Sequence, residues 1–421
     1  MTKTEIIEAA LKVWGREFYS HTSLSHVALE LGVCKPALYR HFINKDALLQ
    51  AMTRHFFDDF TAFIRPEYER ALQNNDKTES IFILIQSISE YYARNVSTFI
   101  FSMTKLHQNR AEKSDISDDL RARGVDFKEF HRSISSDYVF EPLIMRLVFA
   151  TLTFYMAGFH KIGKTMTNKP SDEAISQISS VISAIIGGGL GYSTSELISL
   201  DFAALEKRIA GTADAITDDP LLKAVAGAVA EAGPWEASME QVAKRSGLSK
   251  SSLYCHFKNR QDMLHKLFMT EFMRIIDFAR QGIQQSDIPV EQLYLGIFSI
   301  AEYLRCKPDI LVAIDWIRNR KLNFKPDEKK HSESEFESMH LFDGINIKPL
   351  AHSESPFREI PGRQMPECGE GAISPWILFL VVTTLMRSEQ QHELGKFSNE
   401  DIRGLFRFIT TGINGFKHNE Q

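Results

Sequence analysis

Apolar positions recur every three or four residues along most of the chain, and the strict alternation of a half-buried strand is scarce. Ile6, Ile7, Ala10, Leu11 and Trp14 form one such stripe, and Leu221, Leu222, Val225, Ala226 and Val229 repeat it 215 positions later. Behind each stripe comes a short segment with a tight turn. A longer helical pattern follows, "KDALLQAMTRHFFDDFTAFI" in the first half and "RQDMLHKLFMTEFMRIIDFA" in the second. The pattern predicts an all-α protein. One stretch, 323–371, interrupts it with Pro, Ser, Glu and Gly, and reads as a long polar surface loop.

The recurrence is one of residues as well as of pattern. "LYRHF" at 38–42 returns as "LYCHF" at 253–257, and Thr22–Leu49 aligns without gaps on Ala237–Leu264 with 11 identities in 28 positions. "SISEYYAR" (Ser87–Arg94) is echoed by "SIAEYLRC" (Ser299–Cys306), and "IIGGGLGY" (Ile185–Tyr192) by "ITTGINGF" (Ile409–Phe416), an offset of 224. The chain is therefore read as two tandem units. Their expected extents are a first head over 1–50, a first body over 51–200, a connector over 201–216, a second head over 217–265 and a second body over 266–421.

Each repeated segment has the makings of two short helices joined by a turn. Ser23 and Ser238 can cap the first helix with a side-chain oxygen. "SMEQ" also fits the reciprocal capping box, whereas "SLSH" does not. Gly32 and Gly247 stand where the chain must reverse, a conformation glycine adopts without steric cost. The second helix is expected over about Lys35–His41 and Lys250–His256. This is the recipe of a helix-turn-helix, whose second helix enters the DNA major groove. Lys35, Lys45, Lys250, Lys258 and Arg260 can neutralise phosphates. Arg40 can pair with guanine, and Ser251 and Ser252 can bond base edges. Tyr39, His41, Tyr254 and His256 can reach backbone oxygens while their rings pack. Pro36 and Ala37 against Ser251 and Ser252, and Arg40 against Cys255, make the two candidate reading surfaces differ.

The run "SLSHVALELGVCKPALYRHFINKDALL", preceded by "AALKVW", resembles the DNA-binding domain of TetR-family transcriptional regulators. "ASMEQVAKRSGLSKSSLYCHFKNRQDML" resembles it a second time, with Arg260 in place of the usual lysine. The resemblance covers about a quarter of the chain. It implies two TetR-like units, each a three-helix head followed by a helical regulatory and dimerisation body, and a double-stranded DNA operator as partner. It also implies that the last two helices of each unit pair, giving a covalent pseudo-dimer. Those helices are expected at about Glu141–His160 and Ala174–Tyr192, and at about Ser374–His392 and Asn399–Phe416. The family's small-molecule effector suggests a pocket in the bodies, for which Tyr92, Phe101, Tyr155, Phe159 and Trp316 are candidates. Arg110, His160, Arg318 and Arg320 could orient an anionic ligand. Core packing and ion pairing are the competing explanations for these residues.

Composition narrows the picture. The net charge of −5 carries no global nucleic-acid signature, so attraction to phosphate must come from local patches. Cys34, Cys255, Cys306 and Cys368 fit neither a disulfide framework nor a zinc spacing, and read as reduced thiols of a cytoplasmic protein. The amino-terminal segment reads as an amphipathic helix rather than a signal peptide. No uninterrupted apolar run of membrane-spanning length is apparent, so no membrane partner is expected. With no phosphate-binding glycine loop, HExxH or nucleophile elbow, neither an enzyme nor a cofactor is expected. The expected function is a ligand-responsive repressor acting on an imperfectly symmetric operator. The alternative is a ligand-binding or protein-interaction module in which one or both heads have lost DNA binding.

Overall fold

The structure, a computed structural model, describes residues 1–14, 23–108, 116–138, 142–164, 170–210, 216, 219–233, 236–321, 373–386 and 398–417. Among them every element is helical, apart from an isolated bridge between Tyr138 and Lys417. The first unit comprises α1 (Lys3–Trp14), α2 (Leu24–Glu30), α3 (Lys35–Tyr39), α4 (Lys45–Gln73), α5 (Lys77–Arg94), α6 (Val96–Gln108), α7 (Ile116–Arg121), α8 (Phe127–Ile134), α9 (Pro142–Lys164) and α10 (Asp172–Gly188). After α11 (Thr194–Ile198) and α12 (Phe202–Ala210) the second unit begins. It comprises α13 (Pro220–Ala232), α14 (Met239–Ser246), α15 (Lys250–His256), α16 (Arg260–Ile283), α17 (Pro289–Cys306), α18 (Pro308–Lys321), α19 (Ile373–Leu385) and α20 (Asn399–Thr411), which tightens into a 3-10 turn over Gly412–Phe416. The polar stretch 323–371 lies outside the described residues.

Helix starts follow local chemistry. Asp76, Ser171 and Asp219 each accept backbone N–H bonds from the first turns of α5, α10 and α13, satisfying donors that have no partner inside the helix. The apolar stripes then decide the packing, with α4 lying along α5 and α16 along α17.

The two bodies meet through α9 and α10 on one side and α19 and α20 on the other. Phe154 packs on Phe379 with ring centroids 5.5 Å apart, and Tyr155 lies 6.2 Å from Trp376. The Trp376 indole donates to Thr151 Oγ1 at 3.3 Å. Arg146 donates from Nη2 to the Thr383 carbonyl at 2.7 Å, supplying a donor to the carboxyl end of α19, where helical carbonyls lack partners. Over Pro142–His160, α9 is long and apolar enough to cross a membrane, although Arg146 interrupts the apolar run. More than half of that stretch is buried inside the protein, and its partners include α5, α10, α19 and α20, so its apolarity serves the core.

The ends of α10 and α20 approach each other through their backbones. Leu190 N–H donates to the Ile409 carbonyl at 2.8 Å and Tyr192 N–H to the Thr410 carbonyl at 3.0 Å. Gly189 (φ +56°) and Gly412 (φ +59°) make this possible. A Cβ at Gly189 would stand 2.5 Å from the Ile409 carbonyl oxygen, and one at Gly412 would collide with that of Ile186. The sequence echo pairs Gly188 with Gly412, but the helix caps pair Gly189 with Gly412, one residue along. The rest of the glycine run has other surroundings: Gly187 faces the Phe82 ring, and Gly188 has open space.

The stretch 201–216, expected as a plain connector, contains α12, which docks on α17. The anchor is Glu206, buried and bonded at once by Tyr294 Oη (2.6 Å), Arg403 Nε and Nη2 (2.7 and 3.0 Å) and Asn399 Nδ2 (2.8 Å). Phe202 packs edge-on against Tyr294 at 4.8 Å and lies under the Arg403 guanidinium. Burial acts to raise the Glu206 pKa, but the bonds from Arg403, Tyr294 and Asn399 outweigh it and hold the carboxyl below its ordinary range.

Thermal unfolding of single-residue variants tests this packing. Gly189→Ala and Gly412→Ala should each cost at least about 2 kcal/mol, from positive-φ strain and backbone collision together. Gly188→Ala should be neutral or gain up to about 1 kcal/mol, because it adds a better helix former in open space. Glu206→Ala should cost about 3 kcal/mol, because it strips Tyr294 and Asn399 of their acceptor and leaves Arg403 only its exposed pair with Glu400. Ionised Glu206 stabilises the fold above the ordinary carboxylate pKa. That contribution should fade as pH falls through its lowered value, and the variant should lose this part of the acid sensitivity.

Candidate nucleic-acid interface

Each head is a three-helix unit built around a small core. In the first, Ala10, Leu11, Val27, Ala28, Leu38 and Phe42 are buried; in the second, Val225, Ala226, Val242, Ala243, Leu253 and Phe257 take the corresponding places. The reversal after the second helix closes alike in both. Val33 N–H reaches the Ala28 carbonyl at 2.9 Å across Gly32 (φ +65°), and Leu248 N–H reaches the Ala243 carbonyl at 3.2 Å across Gly247 (φ +72°). Glycine in the left-handed conformation is what this closure requires.

The caps differ. Ser238 Oγ accepts from Gln241 N–H at 3.2 Å while Gln241 Oε1 accepts from Ser238 N–H at 2.7 Å, so the capping box is formed. Ser23 Oγ accepts from His26 N–H at a long 3.4 Å, with no return bond. Recognition helix α15 is capped by Ser249, which accepts from Ser252 N–H at 3.0 Å. Its counterpart Cys34 makes no side-chain cap bond, and Pro36 in the first turn has no N–H to satisfy. α3 is correspondingly shorter than expected: it ends at Tyr39, with Arg40 and His41 in the turn that follows.

Lys35, Pro36, Tyr39 and Arg40 are exposed on the first head, with Ser23, Ala37, His41 and Lys45 half-buried beside them. The Lys35 ammonium sits 5.9 Å from the Tyr39 ring centre. Partial burial lowers the Lys45 pKa, with Asp46 opposing that shift. On the second head Lys250, Ser251, Tyr254, Cys255, His256, Lys258 and Arg260 are exposed, with Ser238 and Ser252 half-buried. Tyr39 and Tyr254 expose 47% and 52% of their surface, so neither ring is committed to the core.

Two supporting residues were not anticipated. Ser249 was legible as a hydroxyl directly before a helix start. Lys266 was not, being one polar residue among many on the outside of α16. It donates from Nζ to the His256 carbonyl at 2.7 Å, while Asp262 Oδ2 accepts from Lys258 N–H at 2.8 Å.

Most of the candidate ligand residues are placed in packed aromatic clusters. Phe101 touches Trp14 of the head and Phe56 of α4, with centroids at 5.5 and 6.1 Å, and so joins head to body. Tyr92 stacks on Phe60, and its carbonyl lies 2.7 Å from His160 Nε2, beside Phe159 and Phe99. Tyr155 faces α19. The side chain of Trp316 lies outside the described residues, as do those of Arg110, Arg318 and Arg320. A narrow apolar cleft of about 40 Å³ is bounded by Ile81, Leu84, Phe127, Phe130, Met145 and Phe149. A more polar cleft of about 130 Å³ lies where the second head meets its body, over Lys223, Glu271, Cys306, Lys307 and Asp309. There buried Glu271 is bonded by Tyr303 Oη (2.7 Å), Lys307 Nζ (3.2 Å) and Arg274 Nη1 (2.8 Å). Neither cleft is lined by Tyr92, Phe101, Tyr155 or Phe159.

The family model described as "Bacterial regulatory proteins, tetR family" matches residues 6–52 and again residues 221–267. The TetR family's amino-terminal unit is therefore present twice in this chain. Among relatives, an uncharacterized HTH-type transcriptional regulator, YuxN of Bacillus subtilis (strain 168), is 30% identical over 87 residues, which is 20% of this chain and 30% of that protein. A fatty acid metabolism regulator protein of the same organism is 27% identical over 77 residues, 18% of this chain and 40% of that protein. The similarity thus spans less than half the length of these relatives. Both TetR matches begin within the first helix of a head and end in the helix after the recognition helix.

The unequal caps of the two TetR heads lead to an expected difference in stability. Ser238→Ala should cost about 1 kcal/mol, the usual value of a formed cap. Ser23→Ala should cost less than half of that, and urea unfolding of the two variants side by side measures it.

Proposed function

We propose that the chain is a sequence-specific DNA-binding transcriptional regulator in which the two heads act together as a covalent pseudo-dimer. The observation that carries this reading is the pair of recognition helices. α3 and α15 are held by equivalent cores and turns, and both turn a Lys and a Tyr outward. Such helices, set about one turn of duplex apart, occupy successive major-groove faces. Exposed lysines supply attraction to phosphate although the chain as a whole is acidic.

In this reading the α9, α10, α19 and α20 assembly takes the place of a subunit interface. Fusion then makes engagement of the second head intramolecular, at an effective concentration set by the chain. Because α3 and α15 differ, the operator has two dissimilar half-sites. Repression follows from occupancy of the operator. At about 40 Å³ the cleft between α5, α8 and α9 is far smaller than a ligand pocket, so an apolar effector would enter only by moving α9 against α19, a movement that would change the spacing of the heads.

Selection of bound duplexes from a random pool tests the reading. The intact protein should enrich two different half-sites. Lys35→Ala/Tyr39→Ala should abolish selection of one, and Lys250→Ala/Tyr254→Ala should abolish or weaken binding at the other. A perfect palindrome would contradict the asymmetric operator. Failure to enrich any sequence would favour a protein or ligand partner instead.

A further inference from the structure

We propose that the two heads divide the work on DNA unequally, the first supplying most of the base reading and the second most of the grip on the phosphate backbone. This rests on the DNA-binding reading above and states which head supplies specificity and which supplies affinity.

The evidence begins with charge. Over the matched spans, Ser23–Leu49 carries Lys35, Arg40 and Lys45 against Glu30 and Asp46. Ser238–Leu264 carries Lys244, Arg245, Lys250, Lys258 and Arg260 against Glu240 and Asp262. The exchange occurs on the surface. Leu29 and Ile43 are 81% and 80% exposed, so neither contributes to the core of the first head. Their counterparts are Lys244 and Lys258, also exposed, while the counterpart of Glu30 is Arg245, whose guanidinium is already paired with Glu231. Each cation placed against a phosphate releases a counterion and adds affinity that does not depend on sequence.

Base-reading groups run the other way. On the first head Arg40 offers two parallel donors of the kind that match guanine, and among the described residues nothing pairs with it. Pro36 and Ala37 present apolar surface of the kind that meets a thymine methyl group. At the corresponding places α15 has Cys255, Ser251 and Ser252, and it carries no Arg, Asn or Gln. The Ser252 hydroxyl is already within 2.9 Å of Ser249 Oγ at the cap, and Cys255 Sγ leans toward the Ser251 carbonyl at 3.9 Å.

The local scaffolding fits the same division. In the second head α16 pins the turn that carries Lys258, through Asp262 to the Lys258 N–H and through Lys266 to the His256 carbonyl. The corresponding positions in the first head are Ala47 and Ala51, which can form neither bond. A turn braced from below holds its cation in place, which suits a fixed phosphate contact.

The test measures affinity at several salt concentrations for the selected duplex and for versions with one or the other half scrambled. The intact protein is compared with Arg40→Ala and Lys250→Ala/Lys258→Ala. All three altered residues are exposed, so folding is checked only by coincident unfolding curves. The half whose sequence preference disappears in Arg40→Ala is the one under the first head. Scrambling that half should cost the intact protein about 100-fold or more, and scrambling the other less than about 10-fold. Lys250→Ala/Lys258→Ala should weaken all three duplexes alike and reduce the slope of log affinity against log salt by about 2. Equal losses from scrambling either half, or an unchanged preference in Arg40→Ala, overturn the division of labour while DNA binding stands. Retention of no duplex by the intact protein removes both.

Discussion

Two helix ends that touch through their backbones set the geometry on which the rest of the chain depends. At the crossing of α10 and α20, Gly189 and Gly412 bring carbonyl and amide groups so close that no side chain fits between them. Each glycine also adopts a positive φ, which turns the chain away at the point where the helices would otherwise separate. The bodies are fixed relative to each other by this contact and by the flanking aromatic packing of α9 on α19. Each body is continuous with its head through a long helix, α4 or α16, so the spacing of the heads follows from the same crossing.

The two heads are joined to their bodies by different physics. Trp14, Phe101, Phe56 and Phe60 form an aromatic seam in the first unit, which gains from contact area and tolerates small shifts. At the place of Phe56 the second unit has Glu271, buried and bonded by Lys307, Tyr303 and Arg274. A buried ion pair adds little net stability but is costly to break and demands fixed geometry. The polar cleft beside it is a consequence, because a cluster of charges cannot be close-packed as rings can.

Much of this was legible in the sequence. The repeat, the turn glycines, the Ser238 capping box and the helical class are local properties, fixed by residues a few positions apart. What the sequence concealed depended on distant partners. α12 reads as a connector until Tyr294, Asn399 and Arg403 are placed around Glu206. Phe101 and Tyr92 are by sequence candidates for pocket lining with core packing the favoured explanation, and only the positions of Trp14 and Phe60 show what they touch. The glycine register slipped by one residue because three consecutive glycines look alike until one is seen to cap the helix. Lys266 carried no local signal at all, since its partner is a carbonyl on another helix.

The glycine crossing also bears on how such a chain can change. In a dimer of identical subunits one codon supplies both sides of a two-fold contact, so each mutation enters twice and is judged as a pair. Here Gly189 and Gly412 are encoded separately, and the contact is lost if either changes. The fused protein therefore presents twice the mutational target at its seam. Elsewhere the two copies gain the opposite freedom, since a change in one head no longer has to suit the other. Tight constraint at the crossing and independent drift at the surfaces both follow from placing two units in a single reading frame.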